Sequence, residues 1–375
     1  MSVYVVAVGA MKAAPFDYVR VSALGHALTL GAACGLLVIA SLWASTALAQ
    51  SAPLLALDAP ERAEKLLAGA RKDGTLTLYT AFRPQDLPAI VEPFEAKYGI
   101  KVKAWRSGTN IVTQRVLREA AAKRHEVDVV MVPASDMLAL SREKILQPVS
   151  SPHAKDLLPS ALTANRQWTH VFMNVTVHTY NTNVLKKADL PKSYADLLEP
   201  KWKGQLGVEA KAEEWFTKVV LSQGEEKGLK LMRDIVARNG MPARIGVSLL
   251  HNLVVAGEVP LALTDYIDLP EKDKRAGKPV DWFVLEPVVA QGFSVGLAQN
   301  APHAHAAQLF YDYMLSPETQ KLLASLHYYP SSTKVANPYA SLKLDVVDPV
   351  FTVDNYAKWS KLFEDTVTKA QPIKP

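Results

Sequence analysis

Between residues 76 and 132 the apolar positions switch repeatedly between the period of a strand and that of a helix. "LTLYTAF" (76–82) reads as an apolar strand. "QDLPAIVEPFEAKYG" then puts Leu87, Ile90, Val91, Phe94 and Tyr98 on one helical stripe, with Gly99 placed to end it. Ile100, Val102 and Ala104 alternate with Lys101 and Lys103, which predicts a second strand, and a helical pattern runs from about 110 to 124. "VDVVMV" (127–132) is apolar without alternation, as a parallel strand covered on both faces should be. The order β-α-β-α-β predicts parallel strands joined by helical crossovers.

That topology sends every strand-to-helix loop to the carboxyl edge of the sheet, where ligands bind in open α/β sheets. Three loops fall there: Tyr79 to Arg83, Arg106-Ser107-Gly108-Thr109-Asn110, and Pro133-Ala134-Ser135-Asp136. Helix amino termini at that edge present free N–H groups to an anion or a carbonyl oxygen. Ser107 to Asn110 is therefore a candidate solute-facing loop, the alternative being that Thr109 or Asn110 only caps the next helix. With no Gly-Lys-Ser/Thr and no triple-glycine fingerprint, nucleotide motifs are not supported.

Further along, "HVFMNVTVHTYNTN" (170–183) reads as a strand, and 193–208 as helix, turn and strand. "AEEWFTKVVLSQG" and "EEKGLKLMRDIVARNG" are amphipathic helices closed by glycine. Residues 248–264 read as helix, turn and strand, "VDWFVLEPV" and "FSVGLAQNAP" as two strands, and 301–324 as helices. The tail past 340 is helical or irregular.

The first fifty residues differ from the rest. Lys12 and Arg20 precede a long apolar run ending in Ala47-Leu48-Ala49, the form of a secretory signal cleaved after Ala49. An uncleaved anchor is the alternative, and Met11 is a second candidate start. Cys34, the only cysteine, lies inside that run, so the mature chain would hold no thiolate metal site and no cysteine nucleophile. Loss of 1–49 leaves 40 basic against 36 acidic residues, a net +4 without a long basic run, which argues against nucleic acid. At 375 residues the chain suffices for two ordinary domains.

The ordered words "LTLYTAF", "PFEAKYGIKVKAWRSGT", "VDVVMV", "VHTYNTN", "SYADLLEPKWKGQLGV", "AGEVPLALT", "PVDWFVLEPV", "GFSVGLAQNAPHAHAAQLFYDYMLSPETQKLLA" and "YYPSS" span roughly 75–335. This set resembles the family 1 extracellular solute-binding proteins of ABC importers, especially the ferric-ion-binding branch. The resemblance implies a two-lobed α/β fold of the type II periplasmic-binding-protein kind, each lobe a mostly parallel sheet flanked by helices, with the ligand cleft between lobes. It implies a signal peptide at 1–49, lobe one from 50–173 and 294–375, and lobe two from 174–293, with hinge strands near 170–181 and 288–299. It implies a monomer in the periplasm that delivers a small solute or ion to a membrane permease. The family's binding positions fall on Tyr79, Thr80, Ser107, Gly108, Thr109, Asn110 and Ser135. From lobe two they fall near Glu209 to Trp215, at Ser248 and at Tyr266.

The iron carriers of that branch have two adjacent tyrosines where this chain reads Thr264-Asp265-Tyr266-Ile267-Asp268. Tyr266 and Asp268 are the metal-ligand candidates if Fe(III), with a synergistic anion, is the cargo; the missing tyrosine weighs against it. Arg83, Arg106 and the helix amino termini lean instead toward an anionic solute such as a phosphonate or carboxylate. No resident cofactor is expected. His303 and His305 read as loop or capping residues, His170 and His178 as structural, and Glu213 and Glu214 as solvated, the alternative being that one of the two faces the cleft. The tryptophans read as core, Trp215 excepted. No nucleophile–base constellation stands out, so the expectation is a binding protein and not an enzyme. A sensor module for a signalling receptor and a secreted enzyme on the same scaffold are the alternatives.

Overall fold

The structure is a computed structural model and describes residues 61–370; the expected signal segment at 1–49 lies outside them. It opens with a helix the apolar pattern did not single out, α1 (Arg62–Asp73), packed on α9 (Ala304–Leu315). The expected alternation follows as β1 (Thr75–Thr80), α2 (Leu87–Tyr98), β2 (Lys101–Arg106), α3 (Thr109–Ala121), β3 (Val129–Pro133) and α4 (Ala134–Arg142). β1 pairs in parallel with both β2 and β3. On α2 the predicted stripe buries Ile90 and Phe94, and Leu87, Val91 and Tyr98 pack against the same core. Gly99 ends the helix at φ 73°, where a side chain would be strained.

β4 (Trp168–Asn181) then runs fourteen residues and belongs to two sheets in turn. Its first half, to Val175, pairs with β9 (Val288–Leu297); from Thr176 it pairs with β7 (Leu261–Tyr266), and from His178 with β8 (Val280–Phe283). β9 returns antiparallel to β3. It begins five residues before the expected Phe293 and passes through Gly292, where a Cβ would stand 2.4 Å from the His170 ring. Only glycine permits that approach of two crossing strands.

Beyond the crossing come β5 (Leu206–Glu209), α5 (Glu213–Ser222), α6 (Glu225–Asn239), β6 (Ala243–Arg244), α7 (Val247–Ala256), β7, α8 (Asp268–Arg275) and β8. Where a helix was expected after 193, two short 3-10 turns form instead, because Pro200 cannot continue one. The strand order is β2-β1-β3-β9-β4-β7-β5-β6. α9, α10 (Pro317–Ser325) and β10 (Tyr329–Pro330) follow β9, and β10 pairs with β4.

One core joins Leu76, Leu78, Phe94, Phe172, Phe310 and Tyr328. A second joins Trp202, Leu206, Trp215, Phe216, Met232 and Leu263. The tail departs from the expected division. β11 (Leu344–Val346) pairs with β9, and α11 (Pro349–Phe363) buries Trp359 and Phe363 in the second core, not the first. The aromatic faces of Trp359 and Phe363 meet Phe216 there, which draws the tail across.

Candidate functional site

The loops after β1 and β3 meet those after β7 and β5. Arg83, just past β1, reaches the first residue of α8: its Nη2 lies 2.9 Å from Asp268 Oδ1 and 2.8 Å from Oδ2. Arg83 Nη1 is buried with no hydrogen-bond partner. The guanidinium carbon stands 6.0 Å from the Tyr266 ring centroid and 5.8 Å from that of Tyr328. The Tyr328 hydroxyl donates to Asp86 Oδ2 at 2.7 Å, and Lys272 of α8 lies 3.6 Å from the other Asp86 oxygen. A second bridge runs from Ser135 at the start of α4, whose hydroxyl donates to Glu214 Oε1 at 2.6 Å. Gln291 of β9 donates to the other Glu214 oxygen.

These contacts bring acidic groups into a place short of water. Burial pushes the Asp268 carboxyl up to about 7, against the pull of Arg83. Burial likewise pushes Glu214 up to about 7, opposed by the Ser135 bond. Glu213, Glu209 and Asp136 are raised by burial as well. The Tyr266 and Tyr328 phenols are held neutral, first by burial and then by neighbouring carboxylates. So the opening between the sheets is acidic, with Arg83 as its central cation. The leaning toward an anionic solute rested on Arg83, Arg106 and the helix amino termini. Arg83 is already paired with Asp268, and exposed Arg106 turns its Nε to the Phe82 carbonyl at 3.0 Å.

Of the expected site residues, Arg83, Ser135, Tyr266 and Asp268 come together here. Others are used differently. Tyr79 points into the core beside α3, where its hydroxyl donates to Glu119 at 3.1 Å and its ring meets Trp105. Thr80 is buried and secures the strand end, donating to the Met131 carbonyl at 3.2 Å and accepting from the Phe82 N–H at 2.9 Å. Glu209 accepts from the Gly246 N–H at 3.0 Å and from that of Lys211, pinning two loops. Trp215 lies in the second core with its indole N–H on the Tyr194 hydroxyl at 3.0 Å. Its neighbour Glu214 faces the opening instead, since successive helical residues point about 100° apart. Glu214 thus follows the alternative that one of the pair faces the cleft.

Ser107, Gly108, Thr109 and Asn110 form a partly exposed loop in which Gly108, not Thr109 or Asn110, is the helix cap and no side chain bonds the free N–H groups. A Cβ on Gly108 would meet nothing within 4 Å. Ser248 is exposed at the start of α7. His170 and His178 are buried on internal partners, Ser294 and the Leu263 carbonyl, and His303 bonds Asp128. Among the described residues no group of three or more His, Cys, Asp or Glu is arranged to hold a metal ion.

The sequence reading missed Asp86, Gln291 and Tyr328 as residues of this cluster, and held Glu214 only as an alternative. None of these three carried a signal, since each depends on a contact between distant segments.

Comparison with known proteins gives a consistent answer. The family model for bacterial extracellular solute-binding proteins matches residues 89–346. The Fe(3+)-binding periplasmic protein of Serratia marcescens is 24% identical over 264 residues, covering 68% of this chain and 77% of that one. Iron-bound HitA from Pseudomonas aeruginosa superposes with a TM-score of 0.68 at 22% identity, over 78% of this chain and 99% of that one. AfuA from Actinobacillus pleuropneumoniae, solved with fructose-6-phosphate, also gives 0.68, at 18% identity over 78% and 98% of the two chains. The two solved structures share the fold, the bilobed type II arrangement. With more than half its length matched by that model, the chain belongs to the bacterial extracellular solute-binding protein family.

Proposed function

We propose that this protein captures a small solute in the periplasm and hands it to the permease of an ABC importer, without performing chemistry on it. The solute we favour is a hard, oxygen-seeking cation, ferric ion accompanied by a small anion. One observation carries this: oxygen atoms and phenol rings from both sheets already surround a cation, the Arg83 guanidinium held by Asp268 between Tyr266 and Tyr328. A ferric ion would take Asp268 and the phenolates, which suit it as hard oxygen ligands. The released Arg83 would then face the anion. The Serratia relative, an Fe(3+)-binding protein, supports the same reading. Family members are binding proteins, and among the described residues no helix is long and apolar enough to cross a membrane. Export through residues 1–49 belongs to this reading.

A second solute class has its own support. The buried Arg83 Nη1 has no partner, which suits a phosphate-bearing solute, and AfuA was solved with a sugar phosphate. Mass spectrometry of metals and small molecules retained by natively purified protein separates the two. Titration with ferric citrate should raise a visible tyrosinate-to-iron band that is lost in Tyr266→Phe. Retention of an organic phosphate with no iron and no band would defeat the ferric assignment.

A further inference from the structure

His251 sits in α7, buried, with a carboxylate on each ring nitrogen. Its Nδ1 lies 2.7 Å from Asp265 Oδ2 and its Nε2 3.0 Å from Asp273 Oδ2. A carboxylate accepts and does not donate, so both contacts are satisfied together when the ring is an imidazolium. Burial alone would push the imidazole down, but the bonds from Asp265 and Asp273 outweigh it and hold the group above the usual histidine range. An apolar trio of similar volume would serve the core as well as a buried charged triad, so stability alone is a weak reason for this one.

What the triad joins gives a better reason. Asp265 is the next-to-last residue of β7, and its other oxygen accepts the N–H of Tyr266, the last, at 2.8 Å. Asp273 lies on α8, the helix that begins with Asp268. We infer that His251 is a positioning residue of the solute cleft, its imidazolium tying β7 to α8 and so setting Tyr266 relative to Asp268. This rests on the reading of that cleft as the solute site.

The charges around the ring define what its deprotonation does. β7 contributes Asp265, which is fully enclosed, and α8 contributes Asp273, with Lys278 3.0 Å behind it. The remaining charges of α8 pair elsewhere: Asp268 with Arg83, Glu271 with Arg275, Lys272 with Asp86 and Lys274 with Asp281 of β8. Of the other elements packed on α7, β6 brings Arg244, which donates to the Ala243 carbonyl. β5 brings Glu209, occupied by Gly246, and β4 brings His178, on the Leu263 carbonyl. A neutral ring keeps one N–H. Asp265 has the greater need of it, because Asp273 retains Lys278. Nε2 then turns a lone pair toward Asp273, and the tie from α7 to α8 is lost while that to β7 holds.

The test reads Tyr266 directly and needs no solute. In protein labelled with 3-fluorotyrosine, the Tyr266 resonance is assigned by its absence in Tyr266→Phe and followed from pH 6 to 9 beside the His251 imidazole signals. The expected result is a Tyr266 shift with the same midpoint as His251, absent in His251→Gln. Asp273→Asn, which keeps the Asp265 bond and serves if His251→Gln does not fold, should move both midpoints down together. A Tyr266 resonance that stays still while His251 titrates, or one that moves identically in His251→Gln, overturns the positioning role. Ferric citrate affinity is measured in parallel, and should fall about tenfold across the same midpoint in wild type only. No ferric citrate binding at any pH would overturn the solute assignment alone, with the fluorine curves still deciding the role of His251.

Discussion

Arg83 Nη2 holds both carboxylate oxygens of Asp268, at 2.9 and 2.8 Å, across the opening between the two sheets. A residue from the loop after β1 is thereby tied to the first residue of α8, far away in sequence. Together with the Ser135–Glu214 bond it joins the two sides of the candidate site.

Breaking that tie should open the cleft. Arg83→Gln leaves Asp268 buried without its cation, and one partner removed from a buried pair costs about 3–5 kcal/mol. Opening the cleft lets water reach Asp268 and relieves much of that cost. The expected outcome is a larger radius of gyration by small-angle scattering for solute-free Arg83→Gln, with Tm falling less than a cost of that size implies. An unchanged radius with a steep fall in Tm would mean that the pair braces the fold and not the closure.

The pH dependence has a defined sign. Asp268 and Glu214 are held up to about 7, above the unfolded carboxylate range of about 4. The folded protein therefore binds more protons there than the unfolded chain, and the stability they contribute is full below about 4 and lost as pH rises through about 7. Between pH 5 and 8 the protein should be more stable at the acid end. Glu214→Gln should flatten the slope of Tm against pH; an identical slope would show that other groups set it.

Gly108→Val should leave the fold intact, because its φ is −62° and a Cβ there meets nothing within 4 Å. If the loop admits solute, affinity is lost while Tm stays near wild type. Thr109→Ala should also leave Tm unchanged, since its side chain caps nothing. A drop worth about 1 kcal/mol in Thr109→Ala would restore the capping role. Unchanged affinity in Gly108→Val would make the loop a plain turn.

The tail belongs to the second core. Trp359→Ala removes an indole buried against Phe216 and should cost about 3–5 kcal/mol. Calorimetry should show the loss confined to one transition if this core unfolds separately from the first. A change below about 0.5 kcal/mol, typical of surface substitutions, would place the helix outside that core.

What the sequence determined by itself was periodic and local. The stripe on α2, the stop at Gly99, the unbroken apolar β3 and the alternating β2 all follow from side-chain spacing along a short segment. Their order implied parallel strands and a carboxyl edge, which β1 paired with β2 and β3 has. The facing of individual side chains was another matter. Tyr79 and Trp215 sit at the expected rim yet turn into cores, while Glu214, next to Trp215, turns into the opening. Neighbouring residues on a strand or helix face different ways, and which way is open depends on what packs against the element. The sequence also offered no sign that Tyr328 would stand beside the Arg83 that faces Tyr266, or that Gln291 would reach Glu214. Only the tertiary structure decided those meetings, because they join residues dozens to hundreds of positions apart through the crossing of β4 and β9, and no local period records such a contact.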